Sequence, residues 1–415
     1  MIQELYRKEY GKMVTVICSR FGIAYIDEAE DIVSDTFLSA AETWGMNGIP
    51  SNPVAWLYAV ARNNALNYLK HDKVFQRRVK KDLVQDSQRS FEMDIDLSDQ
   101  NITDSQLRML FAICHPSIPV EAQISLALRV LCGFTIDEIA QALLTSKGNI
   151  NKRLFRAKDK LRTEDKEIAF PNDSEISARL DTVLLCLYLL FNEGYYSANP
   201  DKVLRKDFCL EAMRLTWLLV NHPPTAIPRV YALMALMCFQ ASRFDARISD
   251  SGELVLYEDQ DISRWDQELI DRGGSFFVKA SGMGEVSKYH LEAAIAWWHT
   301  HKADERVKWE NILRLYNQLL MLEYSPMAAL NRAYAFFRVY GREKAIAEAE
   351  GLQQLSGNLF YHSLLGELYT GVDDEKARRH ILRALELAGS PEERAVLEKK
   401  LNGHCSKKEN HGKPG

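Results

Sequence analysis

The chain has 415 residues, of which 47% are apolar and 26% are charged, and its formal net charge is −5. These values are ordinary for a globular protein of two or three domains, and they argue against a protein coated in cations. The first residues lack the features of a signal peptide, and the longest apolar run, residues 183–191, is too short to cross a bilayer. The seven cysteines include no Cys-x-x-Cys pair, so we expect buried thiols in a reducing cytoplasm, without a metal or cofactor.

Charge is distributed unevenly along the chain. Residues 1–162 hold 21 Lys and Arg against 20 Asp and Glu, a net charge of +1, whereas residues 163–415 are net −6. The front part concentrates its cations in clusters. The chain has no Walker loop, no dinucleotide glycine fingerprint and no His-Glu-x-x-His motif, so we expect that it is not an enzyme.

The first block, residues 1–81, is predicted to contain three helices, and helical periodicity also dominates the rest of the chain. The first helix covers residues 5–21 and ends before Gly22. The second covers residues 26–44 and carries six acids with no Lys or Arg. Such a helix would repel DNA, so a basic protein surface is its natural partner; the alternative is a solvated face.

The loop at residues 45–53 and the helix that starts at Pro53 are predicted to meet single-stranded nucleic acid. An irregular loop between Trp44 and Trp56 is suited to hold a base taken out of the stack, and Asn47 and Asn52 are placed to read its edge. The alternative is that both tryptophans are core residues. The exposed side of the third helix is polar and basic, and its candidates at helical spacing are Arg62, Asn63, Asn67 and Lys70.

Residues 82–103 are polar and poor in apolar residues, which predicts a flexible linker. Residues 104–162 then form a second helical block that ends in a helix-turn-helix. Thr135 and Glu138 form a capping box at its first helix, and Thr145 or Ser146 caps the second. That second helix carries seven cations and one acid in sixteen residues, which is a phosphate-binding pattern. The chain is therefore predicted to bind DNA.

The start of a recognition helix enters the major groove, while cations further along it contact phosphates. The base-edge candidates are Lys147, Asn149, Asn151 and Lys152. The phosphate candidates are Arg153, Arg156 and Lys160.

The region after residue 163 is predicted to be an α-solenoid of degenerate helix pairs, over residues 163–402, with a disordered tail at 403–415. Ala333 and Ala345 are followed by Gly366 and Ala377 after 32 or 33 residues, close to the tetratricopeptide (TPR) period of about 34. Two polar clusters, residues 192–194 and 258–261, mark helix caps, a ligand pocket or an inter-domain contact, and capping is the simpler explanation.

These segments, in this order, resemble the extracytoplasmic-function (ECF) sigma factors of bacterial RNA polymerase that carry a TPR-like C-terminal extension. The expected fold is all-α: sigma region 2 (residues 1–81), a linker, sigma region 4 (residues 104–162) and the solenoid. Residues 29–38 look like the part of region 2 that docks on the β′ clamp helices, and residues 53–67 are similar to the helix that reads the −10 element. Residues 106–116, 191–195 and 258–266 are typical of the extended subgroup.

The resemblance implies core RNA polymerase, through its β′ clamp helices and β flap, and promoter DNA as partners. The implied polymerase-binding residues are Asp27, Glu30, Asp31, Val33, Asp35, Phe37 and Leu38. The third helix and its loop would read the −10 element and the helix-turn-helix the −35 element. The C-terminal region is expected to contact and modulate the sigma blocks.

Two other classes of function stay open. A one-component regulator would join the helix-turn-helix to a ligand-sensing helical repeat and bind operator DNA by itself. A scaffold would use the repeats to hold proteins, but it leaves the basic helix unexplained. The acidic helix and the tryptophan-flanked loop favour a sigma factor, because a repressor has no use for them.

Overall fold

The computed structural model describes residues 1–71, 96, 98–143, 145–163, 173–195, 205–249, 255, 257–282, 285–301, 305–389 and 391–409. The regular elements of these residues are helices, which confirms the predicted all-α class. The chain divides into two compact units, Met1–Leu190 and Phe191–Gly415. We call them the front unit and the C-terminal unit.

The first block of the front unit contains three helices: α1 (Ile2–Phe21), α2 (Ile26–Asn47) and α3 (Pro53–His71). Helix α2 continues three residues beyond the predicted end at Trp44, so the loop before α3 is shorter than expected. Asn52 begins α3, because its side-chain Oδ1 accepts a hydrogen bond from the Ala55 backbone N–H at 3.0 Å. The predicted basic run beyond residue 71 lies outside the described residues.

The second block begins with α4 (Asp99–Ile113) and α5 (Val120–Leu126), which a π-helical turn at Ala127–Leu131 prolongs. Most of the predicted linker lies outside the described residues, but its last part, residues 99–103, is helical. Ser98 starts α4, since its hydroxyl accepts a hydrogen bond from the Asn101 backbone N–H at 3.3 Å.

The helix-turn-helix consists of α6 (Ile136–Ala142) and α7 (Lys147–Thr163). The capping box is confirmed: the Thr135 side chain accepts from the Glu138 backbone N–H, and Glu138 accepts from the Thr135 backbone N–H at 2.8 Å. Ser146 caps α7, because its Oγ accepts from the Asn149 backbone N–H at 3.2 Å.

Helix α1 lies at the centre of the front unit and packs against α2 and α3 of the first block and against α4 and the π-helical turn of the second. The closest approach is at Gly11, where an added Cβ would lie 2.1 Å from the backbone oxygen of Leu131. The two blocks therefore share one core, whereas the linker prediction treated them as separate bodies.

Helix α8 (Asp173–Tyr195) follows the helix-turn-helix. The thiols of its Cys186 and of Cys114 are buried and in hydrogen-bond contact, so α8 packs on the second block. Gly194, expected to cap the helix, lies inside it: a Cβ there would be 2.7 Å from the Arg205 backbone oxygen. A close approach to the next helix, and not a cap, explains this glycine.

The C-terminal unit contains ten further helices in the described residues. They are α9 (Lys206–Asn221), α10 (Pro228–Ala241), α11 (Gln267–Ala280), α12 (Lys288–His299), α13 (Glu305–Leu322), α14 (Pro326–Tyr340), α15 (Arg342–Glu350), α16 (Leu359–Tyr369), α17 (Asp374–Leu387) and α18 (Pro391–Glu409). Successive helices pack in chain order, as in a helical-repeat solenoid. Helix α18 extends into the segment predicted to be a disordered tail.

The small residues of the predicted repeat lie at helix contacts. Ala333, Ala345 and Ala377 are buried in one core cluster, and a Cβ on Gly366 would lie 2.7 Å from Cγ1 of Ile381. The repeat spacing therefore marks sites where two helices approach closely.

The described residues were compared with the predictions about cysteines and membrane spans. Six cysteines lie in this part of the chain, and all six are buried with free thiols, as expected. In the same part, no helix combines the length and the apolar character that a membrane span requires.

Candidate protein and nucleic-acid interfaces

Helix α7 presents its cations on two different faces. The predicted base-edge and phosphate residues Lys147, Lys152, Arg156 and Lys160 are exposed to solvent, together with Asn149 and Asn151, and Arg153 is half-buried. The buried stripe of the helix contains Ile150, Leu154, Ala157 and Leu161. The exposed face is therefore available to a DNA backbone and groove.

Two of the base-edge candidates are engaged within the helix-turn-helix. Lys147 forms an ion pair with Asp137 over 2.6 Å, and both side chains are largely exposed. The Asn149 side-chain amide donates to Thr145 Oγ1 at 3.2 Å. Exposed contacts of this kind contribute about 0–1 kcal/mol and can be exchanged for contacts with DNA.

The acidic helix α2 exposes only some of the predicted polymerase-binding residues. Asp31, Asp35 and Leu38 are exposed and share one face at i, i+4 and i+7, and the Leu38 side chain is 59% exposed. Val33 and Phe37 lie in the core of the block instead, at 0% and 5% exposure. The apolar stripe of the helix faces α1, so these two residues hold α2 in place and are not accessible to a partner protein.

The remaining two acids of the set, Asp27 and Glu30, are ion-paired with the second block. Glu30 is 6% exposed, and its Oε1 lies 2.8 Å from Arg129 Nε. Its Oε2 accepts from Lys158, which also lies 2.8 Å from Asp27 Oδ1. Arg162 pairs with the other Asp27 oxygen. A carboxylate with this little exposure requires compensation of its charge, and the second block supplies it.

The electrostatics around Glu30 are consistent with this pairing. The Tyr10 hydroxyl donates to Glu30 Oε1 at 3.1 Å, and burial together with the negative charge of Glu30 raises the pKa of Tyr10 well above its ordinary value. Burial alone would lower the pKa of Arg129, but the Glu30 carboxylate raises it. Arg129 is therefore a permanent cation in the interface.

Sequence reasoning did not identify Arg129, Lys158 and Arg162 as the partners of Asp27 and Glu30. Lys158 and Arg162 follow one another at i and i+4 and border the apolar stripe of α7, which was the available signal that this edge contacts protein. A second contact joins the same blocks: Arg7 pairs with Glu138, and its guanidinium carbon lies 3.8 Å from the Phe134 ring centroid.

The two tryptophans that flank the loop contact one another, and Trp44 is a core residue, which is the alternative considered for it. The ring centroids of Trp44 and Trp56 lie 5.4 Å apart in an edge-to-face arrangement. Trp44 is 6% exposed and Trp56 is half-buried, while Asn47 at the end of α2 and Asn52 just before α3 are exposed. The indole Nε1 of Trp44 is a buried donor with no hydrogen-bond partner in the described residues.

Helix α3 carries the other predicted −10 residues. Arg62, Asn63 and Asn67 are exposed on it. The side chain of Lys70 lies outside the described residues. Residues 62, 63 and 67 follow helical spacing, so they lie on one side of α3.

The C-terminal unit contains a cavity of about 500 Å³, whose lining includes the side chains of Tyr257, His299, Trp309 and Tyr334. Behind it, the buried Lys308 donates to the Tyr257 hydroxyl at 2.6 Å. Burial and the charges of Arg243 and Lys308 lower the pKa of His299 well below its ordinary value, so its ring is neutral.

The residues of the cluster 258–261 divide between a helix cap and the lining of the cavity. The Asp261 carboxylate accepts from the Ser263 backbone N–H at 2.9 Å and caps a short 3₁₀ turn. Glu258 and Asp259 line the cavity. The capping explanation therefore accounts for only part of this cluster.

Three segments of the chain match known protein families. Residues 6–74 match Sigma-70 region 2, residues 113–161 match Sigma-70 region 4, and residues 179–281 match a family of unknown function, DUF6596. An uncharacterized protein of Rhizobium meliloti (strain 1021) is 34% identical over 381 residues, which cover 91% of this chain and 90% of that protein. The ECF RNA polymerase sigma-E factor of Haemophilus influenzae is 24% identical over 160 residues, covering 37% of this chain and 80% of that factor. No solved structure matches the chain.

The two helical blocks and their family matches define a DNA-binding transcription initiation factor of the Sigma-70 class. Within that class, the chain belongs to the ECF-type sigma factors and carries a C-terminal extension of the DUF6596 family. Sigma domains of this kind interact with core RNA polymerase and promoter DNA.

Proposed function

We propose that this sigma factor docks on the β′ clamp helices of core RNA polymerase through α2 and on the β flap through its second block. In this arrangement α3 and its loop read and hold the −10 element, and α7 reads the −35 element. RNA synthesis is the work of the polymerase, so the chain itself is not an enzyme, and it acts in the cytoplasm, where promoter DNA lies.

The exposed face of α2 carries the docking proposal. Asp31, Asp35 and Leu38 form a strip in which an exposed leucine follows two carboxylates, and α2 has no cation. An exposed apolar side chain next to acids is suited to a protein surface that is basic and has an apolar pocket. It is unsuited to DNA, because the carboxylates repel phosphate.

The exposed cations of α7 and the loop before α3 support the DNA roles. Lys152 and Arg156 are on the exposed face of a helix that begins at a capped turn, which is the usual geometry of a recognition helix. Beside the loop, Trp56 is half-buried and Asn47 at the end of α2 is exposed, so a flipped base has an aromatic side chain and a polar partner there.

A pull-down with core RNA polymerase tests the docking proposal. We expect the full chain to bind, and we expect the double substitution Asp31→Lys and Asp35→Lys to weaken binding strongly without unfolding the chain. The matched control is Glu343→Lys with Glu375→Lys, which makes the same charge change on exposed helices of the C-terminal unit. Equal polymerase affinity for the two variants would overturn the proposed docking face.

We also propose that the C-terminal unit modulates the sigma blocks. A solenoid surface and a cavity of ligand size support this role. The experiment compares promoter output of the full chain with that of a chain ending at Leu190, which retains the part of α8 that belongs to the front unit. Unchanged output and polymerase affinity would show that the extension is an independent module.

The one-component regulator remains the second candidate, because the cavity in the C-terminal unit is suited to a sensor. It predicts binding to operator DNA without polymerase. The sigma role predicts that specific promoter binding requires core RNA polymerase, so a DNA-binding assay with and without polymerase separates the two.

A further inference from the structure

We infer that the contact between the two sigma blocks is an autoinhibitory latch, in which Lys158, Arg162 and Arg129 of the second block hold Asp27 and Glu30 of the acidic helix. This inference rests on the proposed docking of α2 on polymerase. The latch closes the front unit before polymerase binds, and it opens when polymerase takes its place.

The latch covers one end of the proposed docking helix. Asp27 lies one turn before Asp31, where the exposed strip begins, and the buried Glu30 immediately precedes Asp31. A surface seated on that strip and extending one turn further therefore meets Lys158 and Arg162. The Arg162 Nε also donates to the Ala24 backbone oxygen at 3.3 Å, which brings α7 against the turn that precedes α2. Polymerase therefore competes with α7 for the beginning of α2.

The closed arrangement also keeps the two DNA-reading helices too close together for a promoter. The −10 and −35 elements are about 25 base pairs apart, which at about 3.4 Å per pair is roughly 85 Å of duplex. A compact unit of this size is on the order of 40 Å across. Both elements are read at once only after the two blocks separate.

The chemistry of the contact suits a reversible latch. In the closed form the Glu30 carboxylate has three partners, Arg129, Lys158 and Tyr10. Without them its buried negative charge would be uncompensated. On opening, the same groups become exposed to water. The buried ion pairs therefore specify one closed arrangement of the two blocks.

Gly11 is an uncharged position at which a substitution should disrupt the closed form. A Cβ at this position would lie 2.1 Å from the Leu131 backbone oxygen in the closed form. Within α1 alone an alanine is the better helix residue. The glycine is therefore required by closure of the blocks and not by the helix that contains it.

The test introduces Gly11→Ala into the full chain and measures hydrogen exchange of the front unit and affinity for core RNA polymerase. We expect faster exchange in α1 and at residues 124–131, and polymerase affinity higher by about 10- to 100-fold. That gain is expected when a binding-competent state rises from about 1–10% to nearly full occupancy. Gly274→Ala is the matched control, because a Cβ on this helical glycine meets nothing within 4 Å.

Lys158→Met provides a second route to opening, because it removes the shared cation and keeps an apolar stem of similar length. We expect it to reproduce both effects if Gly11→Ala does not fold. Faster exchange with unchanged polymerase affinity would overturn the latch and leave the proposed docking face intact. Unchanged exchange in both variants would also overturn it. A wild-type chain that does not bind polymerase at all would instead refute the proposed function.

Discussion

Replacing Glu30 with alanine removes the carboxylate that compensates the buried Lys158 and the partly buried Arg129 of the second block. Glu30 is 6% exposed, Arg129 lies 2.8 Å from it, and the Lys158 side chain is 10% exposed. Loss of one partner from a buried ion pair costs about 3–5 kcal/mol, because the remaining charge stays in the interior. Lys158 keeps Asp27 as a partner in the variant. We therefore expect Glu30→Ala to lower the stability of the front unit by about 3 kcal/mol, near the lower end of this range.

Hydrogen exchange of peptides from residues 1–71 and 98–143 measures this loss without requiring a two-state transition of the whole chain. Asp31→Ala is the control, since this neighbouring acid is exposed and its removal should change stability by no more than about 0.5 kcal/mol. We also expect Glu30→Ala to cost less when Lys158→Met is already present. A loss below about 0.5 kcal/mol for Glu30→Ala would refute the reasoning that the contact is buried and compensated.

Three further outcomes are expected. Burial alone would raise the pKa of Glu138, but the Thr135 hydrogen bonds and the Arg7 guanidinium lower it below its ordinary value of 4.5. The contribution of the Glu138 carboxylate to stability should therefore be complete above pH 4.5 and disappear as the pH falls through the lowered pKa. Urea unfolding of the wild type and of Glu138→Gln at a series of pH values checks this, because the variant should lack that part of the pH dependence of stability. Lys152→Ala should cost about 1–3 kcal/mol at the cognate −35 element, whereas Arg156→Ala should weaken all sequences alike and reduce the salt slope by about one unit, as DNA titrations at several salt concentrations will show. The same sequence-dependent loss in both variants would contradict this assignment. Gly366→Ala should destabilise the C-terminal unit by about 1–3 kcal/mol in thermal unfolding, because the new methyl group has no room beside Ile381; an unchanged transition would show that the helices can separate there.

Local signals in the sequence predicted the elements well. The capping box at Thr135 and Glu138 and the small residues at Ala333, Ala345 and Gly366 depend on contacts within a helix or between consecutive helices. Such contacts leave regular spacings in the chain. The helix-turn-helix and the solenoid were therefore both readable from the sequence.

The pairing of the two sigma blocks was not readable in the same way. Lys158 and Glu30 are 128 residues apart, and periodicity shows which face of a helix is buried without showing what covers it. The six acids of α2 were interpreted as one surface for an external partner, but two of them are engaged by α7. Gly11 gave no sign of its role, because a glycine within a helical pattern has the same appearance whether or not a backbone approaches it.

Run-off transcription with core RNA polymerase on a promoter library tests the central claim most directly. We predict that transcripts start at a specific set of promoters only when the full chain is added, and that Asp31→Lys with Asp35→Lys abolishes them while Glu343→Lys with Glu375→Lys does not. Promoter-independent output, or specific DNA binding by the chain that core polymerase neither requires nor changes, would contradict the assignment as a working sigma factor.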